Sequence, residues 1–199
     1  MRGFVGIVNL KDNISSFSNI IKQMTETLSK NNYNENCYFE EENILIGYHH
    51  LQSTKICDNS QSMSINLGEN TFTICYNGQL YNKKDLQQTL LEKGFNFDGN
   101  SDTEVLLKAF ICYGYDVVHY LNGVFAFAIW DELKKELFMS RDHFGIKPFY
   151  YSILENNFIF SSEVKAFFKF PSFPTSISQQ GISELIGLRT CSHSRNNCI

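Results

Sequence analysis

The sequence has no large excess of charge of either sign. Charged residues make up 19% of its 199 positions and the formal net charge is −4, which leaves no basic surface for nucleic acid and no acidic tail. It also lacks any apolar run long enough to span a membrane, and Met1 leads straight into a strand-like segment with no secretory signal ahead of it. The six cysteines, Cys37, Cys57, Cys75, Cys112, Cys191 and Cys198, form no C-x-x-C pair and share no metal-ligand spacing with histidine. These absences argue against nucleic-acid binding, membrane insertion and a metal site, and the expectation is free thiols in a reducing cytoplasm. No S-G-G-x-D loop for ATP phosphates occurs, so chemistry driven by ATP is not expected of this chain alone, and no cofactor is expected. What the chain does have is aromatic bulk. Phe and Tyr number 18 and 10, which suits a β-rich interior, and the length allows one good core and the beginning of a second.

The most informative stretch is Ile74-Cys75-Tyr76-Asn77-Gly78-Gln79-Leu80-Tyr81-Asn82. Alternating β-formers from Thr71 to Tyr76 predict a strand, and Asn77-Gly78 after them predicts a tight turn with positive φ. Such a turn presents a backbone N–H and an amide side chain, the pair an oxyanion hole requires. An ordinary hairpin turn is the plainer alternative.

Around it the pattern is layered. Gly3 to Leu10 reads as a strand whose glycines allow close backbone approach. Ser16 to Lys30 has helical spacing, with Ser15 or Ser16 as cap. Asn31 to Asn36 reads as a polar loop, Ile44 to Tyr48 as a strand, and Gln52 to Met63 as a loop. Lys83 to Lys93 is a predicted helix closed by Gly94, and Ser101-Asp102-Thr103-Glu104 fits a capping box ahead of another helix. Gly123 to Trp130 is apolar on both faces and predicts a strand buried between layers. Glu136 to Arg141 returns from it. Phe149 to Tyr151 and Phe158 to Ser162 form a further hairpin, and Glu163 to Phe168 a short helix. Strands in runs between helices predict an α+β fold with antiparallel sheets.

Six motifs occur in order: Gly3-Phe4-Val5-Gly6, Tyr76 to Asn82, Ser101 to Val105, Leu121 to Asp131, Arg141-Asp142-His143-Phe144-Gly145-Ile146-Lys147-Pro148, and Ser162-Glu163-Val164-Lys165-Ala166. With these, residues 1 to 188 resemble the N-terminal glutaminase domain of glutamine-hydrolysing asparagine synthetases, class II glutamine amidotransferases. The resemblance implies an N-terminal-nucleophile hydrolase fold, a four-layer αββα sandwich of two antiparallel sheets. It implies a cysteine nucleophile at position 2 with its own α-amine as base, and an oxyanion hole at Asn77 and Gly78. An arginine just ahead of a leucine would bind the substrate carboxylate, and Asp102 its α-amine. Ammonia would then pass to an ATP-dependent synthetase domain or subunit, which this stretch does not contain. A homodimer is a further partner that the resemblance leaves open.

The chain departs from that pattern where the chemistry is done. Position 2 is Arg2, whose guanidinium stays protonated and is no nucleophile. Its bulk should also leave Met1 in place. The paired arginine ahead of Leu51 is replaced by His49-His50, so His50 stands at the carboxylate position without a bidentate fork. Adjacent strand residues face opposite ways, which argues against a metal held by that histidine pair. Asn31-Asn32-Tyr33-Asn34 stands where the family has R-G-P-D. Cys75 and Cys37 are candidate replacement nucleophiles, though Cys75 reads as a strand hydrophobe and Cys37 has no base beside it. Arg141-Asp142 and Lys147-Pro148 read as fixing a hairpin and an interdomain surface. Phe167-Phe168 and Phe170 through Phe173 read as apolar surface for a partner domain, and residues 189–199 as a disordered or aberrant tail. The expectation is therefore an inactive, glutaminase-like domain that takes glutamine only if its pocket is open. The alternative is an active glutaminase subunit serving a separate synthetase.

Overall fold

The computed structural model describes residues 3–12, 14–28, 36–49, 62–176, 178–179 and 181–183. Two antiparallel sheets form its centre. The first contains β1 (Gly3–Asn9), β2 (Asn36–Glu41), β3 (Ile44–His49), β8 (Tyr150–Leu154) and β9 (Asn157–Ser161), in the order β2-β3-β1-β9-β8. The second contains β4 (Ser62–Leu67), β5 (Asn70–Leu80), β6 (Gly123–Asp131) and β7 (Glu136–Arg141), in that order. The helices are α1 (Ser18–Thr27), α2 (Lys83–Glu92) and α3 (Asp102–Tyr113), with 3-10 turns at Ile14–Phe17, Gly114–Tyr120 and Val164–Lys169.

Alternation along the strands builds three apolar layers. On β6, Phe125, Phe127 and Ile129 face α2 and α3, where they meet Leu86, Leu90, Val105, Leu106 and Phe110. The intervening Ala126, Ala128 and Trp130 face the other sheet and meet Phe4, Ile46, Tyr48 and Phe160. Outside that sheet, Val5, Ile7 and Leu45 pack on Ile21, Met24 and Phe167. The result is the four-layer αββα sandwich expected above, with β6 buried on both faces. Each large side chain so enclosed stabilises the fold by roughly 1.5–3 kcal/mol.

Local signals explain most elements. Ser101 caps α3, its Oγ accepting from the Glu104 N–H at 3.1 Å. Glu104 does not complete the reciprocal half of the box. It reaches further back, to the N–H groups of Asp98 (2.9 Å) and Gly99 (3.0 Å), and pairs with Lys108 at 2.6 Å. Ser101→Ala should cost about 1 kcal/mol, read as a lowered thermal midpoint. Gly6 lies where a Cβ would strike the Phe160 ring, so the close approach expected of that strand is real.

Several expectations are corrected. α1 begins at Ser18 behind Phe17 with no side-chain cap, because Ile14–Phe17 forms a 3-10 turn and neither Ser15 nor Ser16 stands at the boundary. Asn36 opens strand β2, whose Cys37 and Phe39 pack on the inter-sheet cluster. Met63 belongs to strand β4, paired with Ile74. Asn77-Gly78 is not a turn. Both residues lie inside β5, opposite Ala126 and Phe125, and Gly78 is not among the residues with positive φ. Glycine is required there by space, since a Cβ would collide with the Val124 carbonyl and approach the Phe125 Cα to 2.8 Å. The phenylalanine-rich run is not open surface either. Phe167 and Phe170 are buried and Phe173 packs against them, leaving Phe168 exposed. The tail at 189–199 lies outside the described residues.

Candidate functional site

Hydrogen bonds and strand pairing link the motifs to one another: Phe4 to Ser162, Asp102 to Tyr76 and Leu80, and Phe125 to both Asp142 and Gly78. β1 runs down the middle of its sheet and packs across on β5. Its first residues are clamped to the Ser162 motif. Phe4 N–H donates to Ser162 Oγ (3.1 Å), while Ser162 N–H (2.9 Å) and Ser161 Oγ (3.3 Å) donate to the Phe4 carbonyl. Gly3, next to the position of Arg2, lies opposite His49 on β3. His49 is buried, its Nδ1 2.9 Å from Asn36 Oδ1. Arg2, His50 and Asn31 to Asn34 lie outside the described residues.

Asn77 is buried on β5 and by alternation shares the inter-sheet face of Cys75. Burial pushes the Cys75 thiol up to about 12, so it is an inert strand hydrophobe. Cys37 packs partly buried on the same cluster. Among the described residues no group of three or more His, Cys, Asp or Glu side chains is placed to hold a metal.

Asp102 is tied to both flanks of the Asn77-Gly78 pair. Its Oδ2 accepts from the Leu80 N–H at 2.7 Å and, more weakly, from the Tyr76 hydroxyl at 3.4 Å. As the first residue of α3 it also sits where the helix dipole favours an anion. Burial first, and the Asp102 charge second, raise the Tyr76 phenol well above its ordinary value, so Tyr76 stays a neutral donor. The third partner is one that sequence reading missed. Lys83, the first residue of α2, places Nζ 3.3 Å from Asp102 Oδ1 and donates to the Asn100 carbonyl at 2.9 Å. No spacing in the sequence announces this pair, because Lys83 and Asn100 lie 17 positions apart, across a helix and a loop.

The Arg141 to Pro148 motif organises the adjoining loop. The Asp142 carboxylate accepts from the N–H groups of Phe125 (3.2 Å), Phe144 (3.1 Å), Ile146 (3.0 Å) and Lys147 (3.0 Å). Burial pushes this carboxyl up, but the four donors outweigh it and hold it below the ordinary carboxylate value. Phe125 is also the residue opposite Gly78, so this loop and the Asn77-Gly78 segment share one anchor.

Known proteins resemble this chain in sequence and in fold. Asparagine synthetase [glutamine-hydrolyzing] 3 of Bacillus subtilis is 39% identical over 188 residues, which is 94% of this chain and 31% of the relative. Asparagine synthetase [glutamine-hydrolyzing] 1 of the same organism is 34% identical over 168 residues, 83% of this chain and 26% of the relative. The chain thus spans less than a third of these curated relatives. In structure it is similar to the glutamine phosphoribosylpyrophosphate amidotransferase of B. subtilis, with a TM-score of 0.67 and 19% identity. The overlap covers 83% of this chain and 42% of that one. The shared fold is that of the N-terminal-nucleophile hydrolases. Residues 1–198 match the glutamine amidotransferase domain, and the chain belongs to that family.

Proposed function

We propose that this chain is a glutaminase-type domain, related to the one that supplies ammonia for asparagine synthesis, which no longer hydrolyses glutamine. The observation that carries the reading is Arg2, directly ahead of Gly3-Phe4-Val5-Gly6. A protonated guanidinium stands at the nucleophile position. Loss of the nucleophile alone leaves on the order of one-millionth of kcat in a hydrolase.

The geometry at Asp102 supports the same reading. The carboxylate that would meet the ammonium group of glutamine already meets the ammonium of Lys83 at 3.3 Å. Lys83 therefore stands in for the substrate cation, and glutamine would have to displace it. A fit to the carboxylate end is also weakened, because His50 offers no bidentate fork. In this reading the domain acts through a partner, an ATP-dependent synthetase domain or subunit. Cys75 and Cys112, which form no disulfide, are consistent with a cytoplasmic setting.

A glutaminase assay on the purified chain tests the proposal, with glutamate release expected at background. Arg2→Cys should restore Met1 removal, seen by intact mass, yet give little turnover while Lys83 holds Asp102. Adding Lys83→Met should improve the reverted enzyme chiefly through KM. Thiol-dependent turnover by the unaltered chain, abolished by an alkylating reagent, would overturn the proposal.

A further inference from the structure

A cavity of about 200 Å³ is walled by the last turn of α3, the start of β5, the end of β6 and the start of β7. It stands apart from the Asn77-Gly78 segment. On β5, Phe72 lines the cavity and pairs with Asp131, whereas Gly78 pairs with Phe125. That stretch of strand spans about 20 Å. Likewise α3 begins at Asp102 and is closed by Gly114, which lines the cavity.

The wall is aromatic. Phe72, Phe110, Tyr115 and Phe138 line the space, with ring centroids 5.2 to 6.2 Å apart in four neighbouring pairs. Phe110 is buried and Tyr115 is 55% exposed. Charge in the lining favours a cation. Asp131 and Glu136 bring two carboxylates against the single ammonium of Lys134, a net charge of −1. The Tyr115 hydroxyl donates to Glu136 Oε2 at 2.5 Å, which ties ring and carboxylate together. Asp131 is buried, and its Oδ1 accepts from Asn70 Nδ2 (2.9 Å) and the Lys134 N–H (3.0 Å). Its Oδ2 accepts no hydrogen bond among the described residues, and the exposed Lys134 Nζ stands off at 4.0 Å. The C-terminal end of α3 adds partial negative charge, and no basic residue in its last turn neutralises it.

We propose that this cavity binds a small organic cation of the quaternary-ammonium class. Such an ion has no N–H group to leave unsatisfied against the rings. Aromatic walls attract it, most strongly where water is excluded. A primary ammonium would give up hydrogen bonds to water that four rings do not replace. A metal ion needs more ligands than are here, since among the described residues no three His, Cys, Asp or Glu side chains are placed to hold one. An anion would meet a negative lining, and a neutral guest would leave both carboxylates unused. The volume suits a nitrogen with its methyl groups and not a drug-sized molecule. Lys134 is the resident competitor, but its contact with Asp131 is long and exposed, hence weak. This inference does not depend on whether glutamine is hydrolysed.

Choline chloride is the probe, titrated into the full chain at constant ionic strength and followed by amide chemical shifts. Binding should saturate with a Kd on the order of 1 mM. The shifts should concentrate at Phe72, Gly114 and Asp131, not at Asn77 and Asp102. The uncharged isostere in which carbon replaces the choline nitrogen should bind about tenfold more weakly. Tyr115→Ala, a change at an exposed position, should weaken choline about tenfold. Lys134→Ala should strengthen it about twofold. Equal affinity for the uncharged isostere would overturn the proposal. So would the absence of saturable binding, shifts confined to the Asp102 end of α3, or a Tyr115→Ala variant that binds choline as the parent does.

Discussion

Gly78→Ala is expected to destabilise the protein by about 3 kcal/mol. The added Cβ would collide with the Val124 carbonyl and lie 2.8 Å from Phe125 Cα and 2.9 Å from Phe125 Cβ. Most of those atoms are backbone in β6, which has core packing on both of its own faces. Nothing there can yield by a rotamer change, so the strands must separate or β5 must shift. Gly68 provides the contrast. It has φ +63° and nothing within 4 Å of a built Cβ, so Gly68→Ala should cost only the left-handed backbone strain of about 1–2 kcal/mol. Denaturant midpoints of the two variants settle the matter. If Gly78→Ala proved the milder of the two, the close approach of β5 and β6 would not be what demands glycine in the Asn77-Gly78 segment.

Asp142→Ala should cost about 3–5 kcal/mol, because four N–H groups lose their acceptor at once and those that water cannot reach cost about 1–3 kcal/mol each. The same group sets an acid limit. Its folded-state value is held below the ordinary carboxylate value of about 3.9, so its contribution is fully present above that unfolded value. It is lost as pH falls through the lower folded value. Glu104 has the same sign. Burial raises it, but the Lys108 hydrogen bond and charge, with the Asp98 and Gly99 N–H groups, lower it further. Thermal midpoints measured down from pH 6 should therefore fall steeply below about pH 4, and Asp142→Ala should flatten that fall. An acid limb in the variant as steep as in the parent would contradict this role.

Much of the architecture was legible before the structure because period and burial agree. The doubly apolar run from Gly123 to Trp130 lies between two layers, and Ser101 starts a helix. Strands β2 and β4 were not legible, because they are short edge strands diluted by polar residues, Asn36, Glu40 and Glu41 in one and Ser64 and Asn66 in the other. Asn77-Gly78 misled for a different reason. The dipeptide favours a hairpin turn, yet long pairing with β6 held the backbone extended and used glycine for its missing side chain. At the site, the residue types of Asn77, Gly78 and Asp102 could be read from motifs. The ion pair from Lys83 to Asp102 could not, because it depends on how α2 and α3 come to lie side by side.

The placement of β1 has a consequence for the order in which the protein is made. β1, made ahead of the other described strands, is the middle strand of its sheet, flanked by β3 and β9. Its Phe4 N–H is satisfied by Ser162, 158 residues later in the chain. Such a contact is about as non-local as this chain permits, and loop closure over that span must precede any reward from it. While the ribosome is still adding the second sheet, β1 can pair on one side only, with β3. The end of β1 that carries Gly3, beside the position of Arg2, becomes fixed only when β9 and Ser162 have emerged. β1 is thus made well before one of its two native neighbours, and an intermediate stalled before β9 would expose an open strand edge to other nascent chains.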